Sequence, residues 1–171
     1  MNVRLVVLLL SMVGLLWGAP LSAGALKGRV QEAIQTAIGN DVDRIEVTFR
    51  PLPELVNWPN DVVPLKILIP ERPYGLFIVP VTWSDQGHHL QIPVQVSVIA
   101  YDKVLTSARP VDRQTDVGDK DLRREDRDVT SILALGKTLL RQSSELFGKR
   151  TRTFIKKGDV LTLDLFEPKP D

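Results

Sequence analysis

"GKRTRTFIKKGDVLTLDLF", residues Gly148 to Phe166, gathers five basic side chains with no acid before Lys157-Gly158-Asp159 turns the chain into an apolar, strand-like run. A related phrase lies upstream. Arg109 to Leu122, "RPVDRQTDVGDKDL", laid against Arg152 to Leu165, "RTFIKKGDVLTLDL", matches at Arg109/Arg152, Asp116/Asp159, Val117/Val160, Asp121/Asp164 and Leu122/Leu165, an offset of 43 residues. Five identities in fourteen positions predict one supersecondary unit used twice. Each copy takes a strand across a polar turn, at Arg113-Gln114-Thr115 and at Lys156-Lys157-Gly158. Gly158 suits a turn position of positive φ and Thr115 does not, so the two turns are expected to differ in geometry.

The start of the chain reads as an export signal. Arg4 precedes an apolar run from Leu5 to Trp17, and the small-residue pattern Ala23-Gly24-Ala25 follows. The run is thirteen residues long, short of the roughly 18 to 20 that a membrane-spanning helix needs. Residues 1–25 are therefore read as a signal peptide cleaved after Ala25, leaving no membrane anchor. The chain has no cysteine, which excludes disulfides, thiolate metal sites and a lipid on cysteine.

Without residues 1–25 the chain carries 21 basic and 21 acidic side chains, and residues 102–171 hold 15 and 13 of them. A nucleic-acid-binding protein is far more basic than this. The cations of the second half gather at Arg123, Arg124 and Arg127 and from Lys149 to Lys157. Lys149, Arg150, Arg152, Lys156 and Lys157 are the candidate partner-binding residues. Such a cluster is either a solvated hairpin face or a patch that meets an acidic partner.

The pattern divides into two regions. In residues 26–101, Leu26, Val30, Ala33, Ile34, Ala37 and Ile38 form the apolar stripe of a short helix stopped by Gly39-Asn40. "RIEVTFR" alternates as a half-buried strand, and further strands are expected at 63–69, 76–83 and 90–101. Asp85-Gln86-Gly87 is read as a hairpin turn, with His88 and His89 opening the return strand. Adjacent strand residues point to opposite faces, so these two histidines do not share a metal. The fold class is α+β, mainly β, with one helix on a mostly antiparallel sheet. Residues 102–171 are read as a second, mainly β region, in which 104–109 is a strand and Asp128 caps a short helix beginning near Val129. Val160 to Phe166 is expected to form a strand whose outer edge lacks a neighbour and is open to β-augmentation.

No catalytic constellation is present: neither histidine has the context of a base, and there is no glycine-rich phosphate loop or nucleophile elbow. The repeated Asp116, Asp121, Asp159 and Asp164 are read as turn caps. No cofactor and no metal are implied.

The signal, the small helix-and-sheet unit, the strand pair "VQVSVIAYDKVLTSARPV" and the duplicated turn phrase together resemble the flagellar basal-body P-ring formation proteins, the FlgA family. Gly148, Arg152, Ile155, Gly158, Leu161, Asp164 and Leu165 fit that family's phrase in its SAF (β-clip) domain. The resemblance implies a non-catalytic periplasmic chaperone that binds the P-ring subunit near peptidoglycan, with residues 102–171 an SAF-like region lacking its usual second half. Arg113-Gln114-Thr115 departs from the family, which usually has a glycine there. SAF domains also occur in pilus-assembly proteins and in enzymes acting on sugar acids. The alternatives are therefore a pilus-assembly protein, whose SAF domain closely follows an anchor, and a sugar-acid or glycan-binding module using the Lys149 to Lys157 cations. Export is directly checkable: N-terminal sequencing of the periplasmic fraction should begin at Leu26, and an intact Met1 chain in the membrane would refute it.

Overall fold

The computed structural model describes residues 21–52, 63–85 and 87–170. Residues 1–20 of the expected signal lie outside the described residues. Helix α1 (Ala23–Ile38) turns Leu26, Val30, Ile34 and Ile38 inward at every fourth position, a stripe that stays on one face because 3.6 residues make a turn. Ser22 caps its start by accepting a hydrogen bond from the Ala25 N–H at 3.1 Å. Gly39 ends it at a φ of 59°, a conformation that costs a side-chain-bearing residue energy. Cleavage after Ala25 would remove that cap and Leu21, which is buried, and the mature helix would then start at Leu26.

The helix lies on one face of an antiparallel sheet built from β1 (Arg44–Phe49), β2 (Lys66–Ile67), β3 (Gly75–Asp85) and β4 (His88–Ser107), in the order β1-β4-β3-β2. Of the segment expected as a strand at 63–69, only Lys66–Ile67 pairs. β3 and β4 form the predicted hairpin, with Asp85 opposite His88 and Gly87 at a φ of 84°. Val79, Val81, Ile92, Val94, Val96 and Val98 face the helix and are buried. The alternate residues face out, and on that face Leu76 and Ile78 stay more than half exposed.

β4 is twenty residues long and does not end at Tyr101. The separate strand expected at 104–109 is its continuation. β1 and β3 pair with its first part, and β5 (Leu122–Asp128) pairs with Tyr101 to Ser107. The pattern reading missed β5 because "LRREDRD" contains one apolar residue and so shows no alternation. After it, Asp128 accepts from the Thr130 N–H at 2.9 Å, but the cap position of α2 (Thr130–Ala134) is Val129, one residue later than the cap expected at Asp128. β6 (Lys149–Thr151) and β7 (Phe166–Pro168) form a second, two-stranded sheet.

The duplication is real, but its register is 44 residues and not 43. Val111 and Ile155 exchange two backbone hydrogen bonds, each 2.9 Å. Around that pair further contacts have mates shifted by 44: Ser107 N–H to Asp159 O matches Thr151 N–H to Thr115 O, and Gly158 N–H to Ser107 O matches Gln114 N–H to Thr151 O. Ala108 N–H to Asp121 O likewise matches Arg152 N–H to Leu165 O, and the pairing Ser107/Leu122 matches Thr151/Phe166. The two copies are thus related by an approximate two-fold axis through Val111 and Ile155. The register follows burial: Val111/Ile155, Val117/Leu161 and Leu122/Phe166 pack in one core with Leu105, Leu140 and Leu146. Two of the five identities at 43 are aspartate pairs, Asp116/Asp159 and Asp121/Asp164, residues that recur at turns for local reasons. Gln114, the mate of Gly158, takes the positive φ, 59° against 85°. The first turn does differ in its residue, and its left-handed position is Gln114 where the 43-residue offset pointed to Thr115.

The expected open strand at 160–166 is also corrected. Leu161 donates to Leu105 O at 2.8 Å and accepts from the Leu140 N–H at 3.0 Å, and Leu139 bridges Thr162. Leu163–Leu165 is a single 3-10 turn. The backbone at Val160 to Thr162 is held on both sides, so no edge is open there.

Of Phe154 and Ile155, the second enters the core and the first is half exposed. Ile155→Ala should cost about 2–5 kcal/mol through the cavity it leaves, whereas Phe154→Ser should change stability by less than about 1 kcal/mol. Urea unfolding of the two variants measures the contrast, and equal losses would contradict the assigned axis.

Candidate partner-binding site

The structure spreads the five predicted cations along the second copy and ties down two of them. Lys149 Nζ donates to the Glu145 carbonyl at 2.6 Å, where the 3-10 turn Ser143–Leu146 ends. Arg150 Nε meets Glu167 at 2.8 Å across the β6–β7 pair. Arg152, Lys156 and Lys157 are exposed with no side-chain partner among the described residues. Arg152 follows β6, its N–H bonded to Leu165 O. Lys156 and Lys157 sit in the turn that Asp159 closes by accepting the Lys156 N–H at 2.8 Å, and Arg127 Nη2 holds the Gly158 carbonyl of the same turn at 3.0 Å. Two aromatic rings lie beside these cations in the chain: Phe147, 82% exposed, and Phe154, 51% exposed. The pattern reading missed Phe147, which precedes the left-handed Gly148 and has no periodic signal.

The capping role expected of the aspartates is seen at Asp121 and Asp159. Asp121 is buried, accepts from the Gly118 N–H at 3.1 Å, and pairs with Arg109 at 2.5 Å. The hydrogen bond from Arg109 holds its carboxyl below the ordinary aspartate range, against the opposing effect of burial. Asp164 is lowered chiefly by a hydrogen bond from Thr162, with Lys137 adding to it. Asp116 meets Lys169 at 2.8 Å on the surface.

A second ionic node joins the two regions. Asp102 lies in β4, buried, and Arg141 reaches it at 2.6 Å while also donating to the Asp41 carbonyl at 2.5 Å. Asp41 follows α1, so one guanidinium spans both regions. Tyr74 lies near this node, and burial followed by the charge of Asp41 raises its phenol above the ordinary range. Among the described residues, no three His, Asp or Glu side chains stand close enough to hold a metal ion.

The fold is thus a helix on an antiparallel sheet, continued through one long strand into a pseudo-two-fold β unit. Searches of protein-family models and of curated protein sequences return no match. Among solved structures, the chain is similar to Salmonella FlgA in its open form, with a TM-score of 0.59 and 13% identity over 84% of this chain and 64% of that one. Salmonella FlgA in its closed form gives 0.58 and 13%, covering 84% and 68%. Flagellar protein FlgA from Thermotoga maritima MSB8 gives 0.51 and 19%, covering 84% and 53%. The chain has the FlgA fold, and it spans 64% of the length of the first of these structures.

A carboxylate whose folded-state pKa is lowered stabilises the fold above its unfolded pKa and loses that contribution as pH falls through the folded value. Asp121 therefore supports the second region at neutral pH and fails it in acid. Asp121→Asn should lower stability by about 1–3 kcal/mol at neutral pH, because the Arg109 and Gly118 donors lose their charged acceptor. It should also flatten the decline below about pH 4. Chemical denaturation across pH measures both, and an unchanged acid slope would contradict the assignment.

Proposed function

We propose that the protein is a periplasmic chaperone of flagellar basal-body assembly, which binds the P-ring subunit without catalysis and without a cofactor. The observation that carries this is the FlgA fold, shared over 84% of the chain. The approximate two-fold axis at Val111/Ile155 supports the SAF (β-clip) reading of the second region. Arg4, the apolar run from Leu5 and Ala23-Gly24-Ala25 support export, and among the described residues no helix is long and apolar enough to cross a membrane. The partner-binding residues on this reading are Lys149, Arg150, Arg152, Lys156 and Lys157. Arg152, Lys156 and Lys157 supply the charge that is not already paired, while Lys149 and Arg150 shape β6 beside them.

Deletion of the gene tests the function as a whole. A strain without it should lose P-rings and swimming while keeping the rod and inner rings. Overproducing the P-ring subunit should restore part of the motility, because mass action compensates for an assembly factor and not for a ring component. Normal motility of the deletion strain would refute the reading. Changing Arg152, Lys156 and Lys157 to Ser should leave stability within about 1 kcal/mol, since exposed charges contribute little. The same change should weaken subunit binding at low salt, where screening is least.

A further inference from the structure

We infer that the outer edge of β5 is a docking site for an extended, acidic segment of a partner protein, which adds to the sheet as a further strand. The inference rests on the proposed function only for the identity of that partner.

The edge follows from the hydrogen-bond alternation. In an antiparallel pair, residues that point their backbone at the neighbour alternate with residues that point it away. Asp121 O accepts from Ala108 and Val129 N–H donates to Ala100 O, at 2.7 and 2.9 Å, in the same register that pairs β5 with β4. Arg123, Glu125 and Arg127 therefore point their backbone groups at β4, and Arg124 and Asp126 point theirs outward. No hydrogen bond among the described residues reaches the N–H or C=O of Arg124 or Asp126 from that side. The Leu122 N–H is already taken by Asp119 O, which sets one end of the open edge, and α2 begins just beyond the other. A strand of about five residues fits this length, at 3.2–3.4 Å per residue.

Charge selects the occupant. Within β5, Arg127 is paired with Glu125 at 3.1 Å, Asp128 is spent on the Thr130 N–H, and Asp126 is exposed opposite Lys103 of β4. Arg123 and Arg124 are exposed with no acid paired to them. Beside them lies a cleft of about 330 Å³, floored by Leu105 and Leu122 and rimmed by Arg123 and Arg124, by one acid, Asp119, and by Arg141, which is already paired with Asp102. Arg124 shares a sheet face with Leu105 and Leu122, and Arg123 lies on the other face, so an incoming strand that alternates acidic and apolar residues can set its acids beside Arg123 and its apolar residues over the floor. Main-chain hydrogen bonds then supply affinity and alternate side chains supply choice. The edge of β1 offers no such selection, because its Arg44 and Glu46 neutralise each other.

The probe is an acetylated, amidated peptide of alternating Val and Glu, titrated into isotopically labelled protein, with a Val-Lys peptide as control. The Val-Glu peptide should shift the amide signals of Arg124 and Asp126, and the Val-Lys peptide should bind at least roughly tenfold more weakly. Arg124→Pro removes an outward N–H and leaves the β4 ladder intact, as proline does on an edge strand. It should weaken binding by roughly tenfold or more. The double variant Arg123→Ser, Arg124→Ser keeps the backbone and should weaken binding at low salt, with the difference shrinking as salt is raised. Shifts confined to other strands, or full affinity in folded Arg124→Pro, would overturn the site. The purified P-ring subunit gives a second arm. If it binds wild type and Arg124→Pro equally, the edge is not the docking site although the chaperone reading stands. If it binds neither while the peptide behaves as described, the edge stands and the chaperone reading fails.

Discussion

The rest of the structure depends on the uninterrupted hydrogen bonding of β4. From His88 to Ser107 one strand runs through both regions, pairing first with β3 and β1 and then with β5. A strand of that length is hard to bend sharply at one point without breaking ladder bonds, so its two ends are mechanically coupled. The first end collects α1 and the valine-rich face beneath it. The second end supplies Leu105 and Ser107, on which the pseudo-symmetric unit closes. Asp102 lies between the two, and its ion pair with Arg141 draws the loop after α1 to the same point.

Much of the first region was legible because its apolar residues repeat with the period of the element they form. Leu26, Val30 and Ile34 mark a helix, and Ile92, Val94, Val96 and Val98 mark a strand with one buried face. The second region carries weaker signals. β5 is nearly all charged, as an edge strand is allowed to be. The duplication was visible, but identical aspartates at turns outweighed the buried pairs Val111/Ile155 and Leu122/Phe166, and the alignment slipped by one residue. Burial is the sounder guide to register, because a one-residue slip in a strand exchanges its inner and outer faces. The pairing of Arg150 with Glu167 and the hold of Lys149 on Glu145 were hidden for a different reason, since both depend on which strand lies alongside β6.

The functional surface follows from the same geometry. The strand once expected to offer an edge, at 160–166, is enclosed between Leu105 and Leu140, and the open edge passes to β5. Exposed cations stand at Arg123 and Arg124 on β5 and at Arg152, Lys156 and Lys157 ahead of the 160–166 segment. The proposed docking of an extended, acidic partner chain draws on these exposed cations, which lie along a strand edge and turns, with Phe147 and Phe154 close by in the chain.

The central claim is that β4 and the Val111/Ile155 axis form one cooperative unit. Native-state hydrogen exchange tests it most directly, since amides that open together share one opening free energy. The account predicts that the amides of Val111, Ile155 and Leu161 exchange with the same opening free energy as those of Leu105 and Ser107 on β4. Exchange of Val111 and Ile155 through a separate, easier opening that leaves Leu105 and Ser107 protected would contradict it.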